Sequence, residues 1–355
     1  MSDARDPLAG RIPVTLVTGF LGSGKTTLIS KLVRHPSMAR VAVVINEIGE
    51  IGIDHDIVTM SSENIALLAN GCICCSVRTD LQETLRDLFA RRRVGEVADF
   101  DRVIIETTGL ADPAPVVQTL SSDTLIAAQF RLDGLVTLVD AVNGASQLAN
   151  HAEPAKQIAL ADRVFITKRD IAPPEALEEL KTAIQEINPG AGVSLVVNGE
   201  VDPAELTGLG LTSAKAGPAT LSFLGEPLQG EGSQGERPLG RRSALHDASI
   251  KTLSLRFDKP FTWTAFSSAL ELLATLRGPD LLRVKGIVNV EGAPVVVQGV
   301  QHIFHPPVSL DRWPSADTGT RLVFITRRIE AQTIRNLLNA VADATPSTDG
   351  RQPGG

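Results

Sequence analysis

The sequence predicts an α/β protein, with a parallel sheet covered by helices on both faces and then a smaller α+β domain. Three observations carry this. Short apolar runs near 12–18, 41–45, 102–106, 135–139, 163–167 and 193–197 alternate with helical stretches such as 80–92 and 174–187. That is the rhythm of strands joined by crossover helices. Residues 212–249 then turn rich in Gly, Pro and Ser and read as a flexible linker. Beyond it the pattern changes: a strand over 250–257, an amphipathic helix over 261–276, paired strands over 281–290 and 294–304, a strand over 321–327 and a final helix over 329–341. The predicted domains are therefore 12–211 and 250–343, flanked by an N-terminal tail, 1–11, and a disordered tail, 344–355.

The first strand runs into Gly19-Phe20-Leu21-Gly22-Ser23-Gly24-Lys25-Thr26-Thr27, a complete P-loop with helix-like Leu28 to Val33 after it. Its glycines let successive backbone amides turn onto phosphate oxygens, and the start of the helix near Lys25 adds its positive end. Lys25 is placed to reach the β- and γ-phosphates, and the Thr26 hydroxyl to ligate magnesium. Gly19, Gly22, Ser23, Gly24 and Thr27 complete the phosphate cradle.

The second strand leads into Asn46-Glu47-Ile48-Gly49-Glu50-Ile51-Gly52-Ile53-Asp54, which packs carboxylates and glycines where a nucleotide-sensitive loop would sit. Glu47 is the candidate nearer the nucleotide and Glu50 the candidate metal ligand, with His55 as a possible substitute.

All three cysteines of the chain fall in Gly71-Cys72-Ile73-Cys74-Cys75. They are too close in sequence for an unstrained disulfide. In an extended segment residues two apart project to one side, so Cys72 and Cys74 can converge while Cys75 is reached by a turn. Thiolates suit zinc, copper(I) or iron–sulfur chemistry, and three of them with one oxygen or nitrogen donor make a zinc shell. An inert buried cysteine cluster or a redox pair are the alternatives.

Arg102 to Pro113 is an apolar strand that ends in a carboxylate and a glycine turn. Glu106 is placed to reach magnesium through water, and the Gly109 amide to sense a γ-phosphate, as glycines at strand ends do in switch GTPases. Thr167-Lys168-Arg169-Asp170 follows the strand 163–166. A carboxylate such as Asp170 can accept both hydrogens that guanine, unlike adenine, presents on N1 and its exocyclic amino group, while Lys168 lies along the base. Gln301-His302-Ile303-Phe304-His305 suggests a second metal site or a docking surface. However, residues three apart on a strand point to opposite faces, so these histidines would share a metal only across a bulge.

Taken together these strings resemble the CobW-like family of metal-handling GTPases. The residues that carry the resemblance are the Gly19 to Thr27 loop, Asn46-Glu47-x-Gly49-Glu50, Cys72-x-Cys74-Cys75, Glu106-x-x-Gly109-Leu110-Ala111-Asp112-Pro113 and Thr167-Lys168-x-Asp170. Asp133-Gly134-Leu135, Val139-Asp140-Ala141, Ala159 to Arg163 and Arg283-x-Lys285-Gly286 fit it as well. Two features depart from the family pattern: Ile45 stands where some relatives carry a glutamate, and only His246-Asp247 remains where many zinc-linked members carry a histidine-rich run. The resemblance implies a GTP- and magnesium-dependent metallochaperone that binds zinc, or cobalt or a similar transition metal, and passes it to a metalloprotein client, with a possible homodimer. Cobalt or iron insertion is the near alternative, and a P-loop small-molecule kinase the one from another class. No glutamine sits where switch GTPases orient water, so hydrolysis is expected to be slow.

Composition agrees. A chain of 355 residues with 43% hydrophobic and 21% charged residues has the make-up of a folded enzyme of about two domains. A net charge of -7 argues against nucleic acid as the main partner, and Arg91-Arg92-Arg93 and Arg241-Arg242 are too short to reverse that. No apolar run approaches membrane length and the first residues hold no signal-peptide core, so a cytoplasmic protein with reduced thiols is expected.

Overall fold

The computed structural model describes residues 10–46, 67–69, 77–209 and 249–343. The expected linker, apart from Ser249, and the C-terminal tail lie outside these residues.

Strands β1 (Ile12–Gly19), β2 (Val41–Asn46), β3 (Leu67–Ala69), β4 (Arg102–Thr107), β5 (Phe130–Asp140), β6 (Arg163–Thr167) and β7 (Gly192–Leu195) form one sheet. Its order is β3-β2-β4-β1-β5-β6-β7, and all neighbours are parallel. The connections place α1 (Lys25–Leu32), α2 (Val77–Val94), α3 (Ala114–Ser122), α4 (Thr124–Gln129), α5 (Gly144–Asn150), α6 (Ala152–Leu160) and α7 (Pro174–Ile187) around it.

Burial on both faces explains why these strands read as unbroken apolar runs. Successive residues serve opposite layers. Leu16, Val103 and Ile105 pack with Leu85, Val117, Ile158 and Ile184 of the helices on one face, whereas Val17, Ile104 and Phe165 pack with Leu28 and Leu32 of α1 on the other. In a parallel sheet every strand ends at the same edge, so the C-terminal residues of β1, β4, β5 and β6 converge there, which is where ligands bind in open α/β sheets.

The second sheet follows the order β11-β10-β9-β13-β8, built from β8 (Ile250–Phe257), β9 (Leu281–Val290), β10 (Ala293–Val300), β11 (Ile303–Phe304) and β13 (Thr320–Arg327), with β12 (Val308–Ser309) paired to β10. One face carries Leu255, Val284, Val288, Leu322 and Phe324, which bury Phe266, Leu270 and Leu273 of α8 (Trp263–Arg277) and Ile334 and Leu338 of α9 (Ala331–Asp343). The other face is also buried: Ile250, Leu282, Val300 and Ile325 join the core of the first sheet's helices. The C-terminal α+β part is thus packed against the nucleotide-type sheet rather than held by its linker alone.

Two expectations are corrected, and one strand, β3, was not expected. β5 starts at Phe130 instead of 135, because a register shift between Val14 and Thr15 absorbs Asp133 as an extra residue. Its carboxylate lies inside, 2.6 Å from Arg102 Nη1 and 3.2 Å from Arg131 Nη1. The three-residue β3 was too short to leave a pattern. The strand expected over 294–304 breaks after Val300: Gln301 takes a left-handed φ of 54° and Val300 pairs back with Ile303 in a tight turn. His302 therefore sits in the turn and His305 beyond β11, so the two histidines do not share a strand. Among the described residues no helix is long and apolar enough to cross a membrane.

Candidate nucleotide and metal site

The loop after β1 has the backbone its glycines imply. Gly19, Gly22 and Gly24 have φ values of 146°, 74° and 90°, conformations open to glycine and strained for other residues. At Gly19 a Cβ would run into the backbone carbonyl of Leu138. Inside the loop Lys25, only 8% exposed, donates from its ammonium to Gly19 O at 2.8 Å and Phe20 O at 3.3 Å. Ser23 Oγ is buried and has no partner among the described residues. A buried cation on carbonyls beside an orphaned hydroxyl is a cradle that phosphate oxygens would complete.

At the head of α1, Thr26 Oγ1 donates to Glu106 Oε1 at 3.1 Å. Register explains the meeting: Val17 lies opposite Glu106 in the β1–β4 pair, so the carboxylate ends its strand beside the loop that ends β1. Glu106 is 1% exposed. A hydroxyl and a buried carboxylate at this spacing suit a hard divalent cation such as magnesium, which is held by few protein oxygens plus phosphate and water. Next to them Thr107 Oγ1 donates to Thr18 Oγ1 at 2.8 Å, tying the two strand ends together.

Gly109 lies against the same loop. A Cβ there would stand 2.7 Å from Leu21 N and 2.9 Å from Leu21 Cα, so no other residue fits this approach. From α6, Gln157 Nε2 donates to Gly109 O and to Ala111 O, each at 3.1 Å, and Lys156 Nζ lies 2.5 Å from Asp112 Oδ2.

Thr167 Oγ1 donates to Ser23 O at 2.8 Å, which fastens the Thr167–Asp170 turn to the phosphate loop. Lys168 takes a left-handed φ of 57° and its ammonium lies 2.8 Å from Asp140 Oδ2. Asp140 also accepts from Val142 N at 2.8 Å and Asn143 Nδ2 at 2.9 Å. Burial alone would raise the Asp140 carboxyl, but these bonds from Lys168, Asn143 and Val142 outweigh it and hold it below the usual carboxylate range. Asp170 is exposed.

Glu47, Glu50, His55, Cys72, Cys74 and Cys75 lie outside the described residues. Among those described, no group of three or more His, Cys, Asp or Glu side chains is arranged to hold a metal, and so the His302 and His305 pair forms no second metal site there. Burial, with the Arg283 guanidinium second, pushes His305 down to about 4. Sequence reasoning noticed Asp140 without giving it a role and passed over Gln157, since both act through neighbours distant in sequence.

The comparisons with known proteins follow this geometry. Residues 13–194 match the model of the CobW/HypB/UreG nucleotide-binding domain, and residues 250–342 match that of the cobalamin synthesis protein cobW C-terminal domain. The chain belongs to the CobW family. It is 34% identical to the zinc chaperone YjiA of Escherichia coli over 91% of this chain and 96% of that protein. To the zinc chaperone CobW of Pseudomonas aeruginosa it is 32% identical over 92% and 91%. The crystal structure of Zn(II)-bound YjiA GTPase from E. coli superposes with a TM-score of 0.69 at 28% identity, covering 93% of this chain and 99% of that one. In this CobW-family chain both halves of the family architecture are present, the parallel sheet with its P-loop and the smaller antiparallel sheet.

Proposed function

We propose that this CobW-family GTPase is a nucleotide-gated zinc chaperone, in which Cys72, Cys74 and Cys75 with Glu50 hold the metal and GTP hydrolysis resets the site before or after transfer to a metalloprotein client. One observation carries the coupling. Ile45 pairs with Ala69 and Asn46 with Thr107. The chain therefore departs toward Glu47 and Glu50, and toward the cysteines, from neighbouring strand ends at the edge that holds Lys25, Thr26 and Glu106.

The residues have distinct tasks. Gly19, Gly22, Ser23, Gly24 and Thr27 wrap the phosphates, Lys25 leaves its carbonyls for phosphate oxygens, and Thr26 would hold magnesium directly with Glu106 reaching it through water. When bound, magnesium neutralises charge that builds on the phosphates. Gly109 meets the γ-phosphate, Glu47 answers to nucleotide state, and Thr167, Lys168 and Asp170 select guanine. Swinging a metal site from about 1% to 99% occupied takes roughly 5.5 kcal/mol of differential affinity. Presenting or withdrawing one ligand of a thiolate shell can supply that, since zinc sites in small peptides total about 10–16 kcal/mol. A cytoplasmic location, which would keep the thiols reduced, and a homodimer are both compatible with this scheme.

The test is zinc affinity by chelator competition on reduced protein, with magnesium and either GDP or a non-hydrolysable GTP analogue, and with cobalt in parallel. A difference of about tenfold, or 1.4 kcal/mol, between nucleotide states establishes gating. Equal affinities reject it, and unchanged zinc affinity in Cys74→Ser rejects the cysteine site.

A further inference from the structure

Gln157 is a polar side chain with no solvent to serve. It is 1% exposed in the middle of α6, and its backbone carbonyl accepts from Thr137 Oγ1 at 2.8 Å, so the helix is fixed to β5 at this point. Its carboxamide nitrogen spends both hydrogens on one backbone stretch, Gly109 O and Ala111 O. Its oxygen, Oε1, is buried with no hydrogen-bond partner among the described residues. Burying an amide and leaving half of it unsatisfied costs about 1–3 kcal/mol. An apolar side chain of the same length would avoid that cost if filling space were the only task. Leu21 of the phosphate loop stands against the same backbone stretch, too near Gly109 for any Cβ.

We infer that Gln157 is a positioning residue for the γ-phosphate loop. It pins the Gly109–Ala111 backbone by donation in the arrangement seen here, and its idle Oε1 accepts a backbone N–H when those peptides turn over on a change of nucleotide. This rests on the reading that Gly109 meets the γ-phosphate. A carboxamide suits such a task because one end donates and the other accepts, so either orientation of a peptide finds a partner. A glutamate could serve only the second arrangement and a methionine neither. The helix that carries Gln157 makes a second hold on the same segment through Lys156 and Asp112. At its C-terminal end it leads directly to Asp162, the residue to which Arg283 and Lys285 of the second sheet are bound. A change in the loop is thereby passed to the element on which the C-terminal sheet rests.

The experiment uses the full chain as wild type, Gln157→Met, Gln157→Glu and Gly109→Ala, and measures magnesium-dependent affinity for GDP and for a non-hydrolysable GTP analogue together with kcat and KM. For Gln157→Met the expected result is a loss of tenfold or more in analogue affinity or in kcat, with GDP affinity within twofold of wild type. Gln157→Glu, which can serve only the accepting arrangement, should give a ratio of analogue to GDP affinity different from that of Gln157→Met, and equal ratios in the two variants would count against the inference. Affinities for GDP and analogue that fall together, with KM and kcat otherwise intact, would show a purely structural glutamine and overturn the inference. Gly109→Ala separates the two readings. If it keeps the wild-type ratio of analogue to GDP affinity, the γ-phosphate role of Gly109 fails. If it loses that ratio while Gln157→Met keeps it, only the role of Gln157 fails. Should the Gln157 variants not fold, amide hydrogen exchange over 109–112 in the wild type decides. Protection that differs between GDP and analogue supports the clamp, and identical protection rejects it.

Discussion

Lys285 on β9 places its ammonium 2.7 Å from the carboxylate of Asp162, which stands immediately before β6, so a buried ion pair joins the second sheet to the first. Arg283 binds the same carboxylate, and Leu135 N donates to its other oxygen at 2.9 Å. Burial pulls the Asp162 carboxyl upward, but the two cations and these bonds more than compensate and leave it below the usual range. Lys285 is lowered, by burial first and by Arg283 after it, against the pull of Asp162.

Asp162→Ala leaves two cations without their anion in a dry interface, and the expected cost is about 3–5 kcal/mol. Urea denaturation should show the midpoint fall with little change in slope. Replacing Asp162, Arg283 and Lys285 together by apolar residues of similar volume should cost less than the single change, because no charge is then stranded.

His305 sets a pH dependence. Its folded value of about 4 lies below the 6.5 of a free histidine. Between these values the unfolded chain binds more protons, so stability rises with pH across this window and is lost as pH falls from 6.5 toward 4. The imidazole is only partly buried by surface, so the effect should be on the order of 2 kcal/mol. His305→Asn should flatten that part of the curve. The loss belonging to Asp162 begins only near and below its unfolded value of 3.8.

Glu106→Gln keeps the shape of the Thr26 contact and removes the charge. Magnesium-dependent nucleotide affinity should drop roughly 10- to 100-fold, the worth of a charged hydrogen bond, while binding measured with EDTA changes little. Equal losses with and without magnesium would refute the assignment.

Asp170→Asn should lower the preference for guanine over adenine nucleotides by about tenfold or more, since an amide presents a donor toward guanine N1–H where a carboxylate accepts. Competition of ATP against labelled GDP measures it. Thermal stability should hardly move, because Asp170 is exposed.

Local chemistry made much of this protein legible. Strands β2, β4 and β6 and helix α7 fall where the apolar runs and helical period predict them, because a buried parallel strand and an amphipathic helix each write their own period. The backbone of the Gly19–Thr27 loop was readable for a similar reason: the glycines that take its positive φ values stand at fixed short spacings. Contacts between distant residues left no such mark. That Thr26 meets Glu106, that Lys168 rests on Asp140, and that Gln157 holds the backbone of Gly109 follow from strand order and register. The sequence by itself determined the fold class, the phosphate loop and the cysteine cluster, since each is encoded in neighbouring residues. Only the tertiary structure decided that Asp162 binds the second sheet and that α6 links it to the Gly109 loop. Such pairings depend on which strands and helices become neighbours, and that is fixed by the packing of the whole chain.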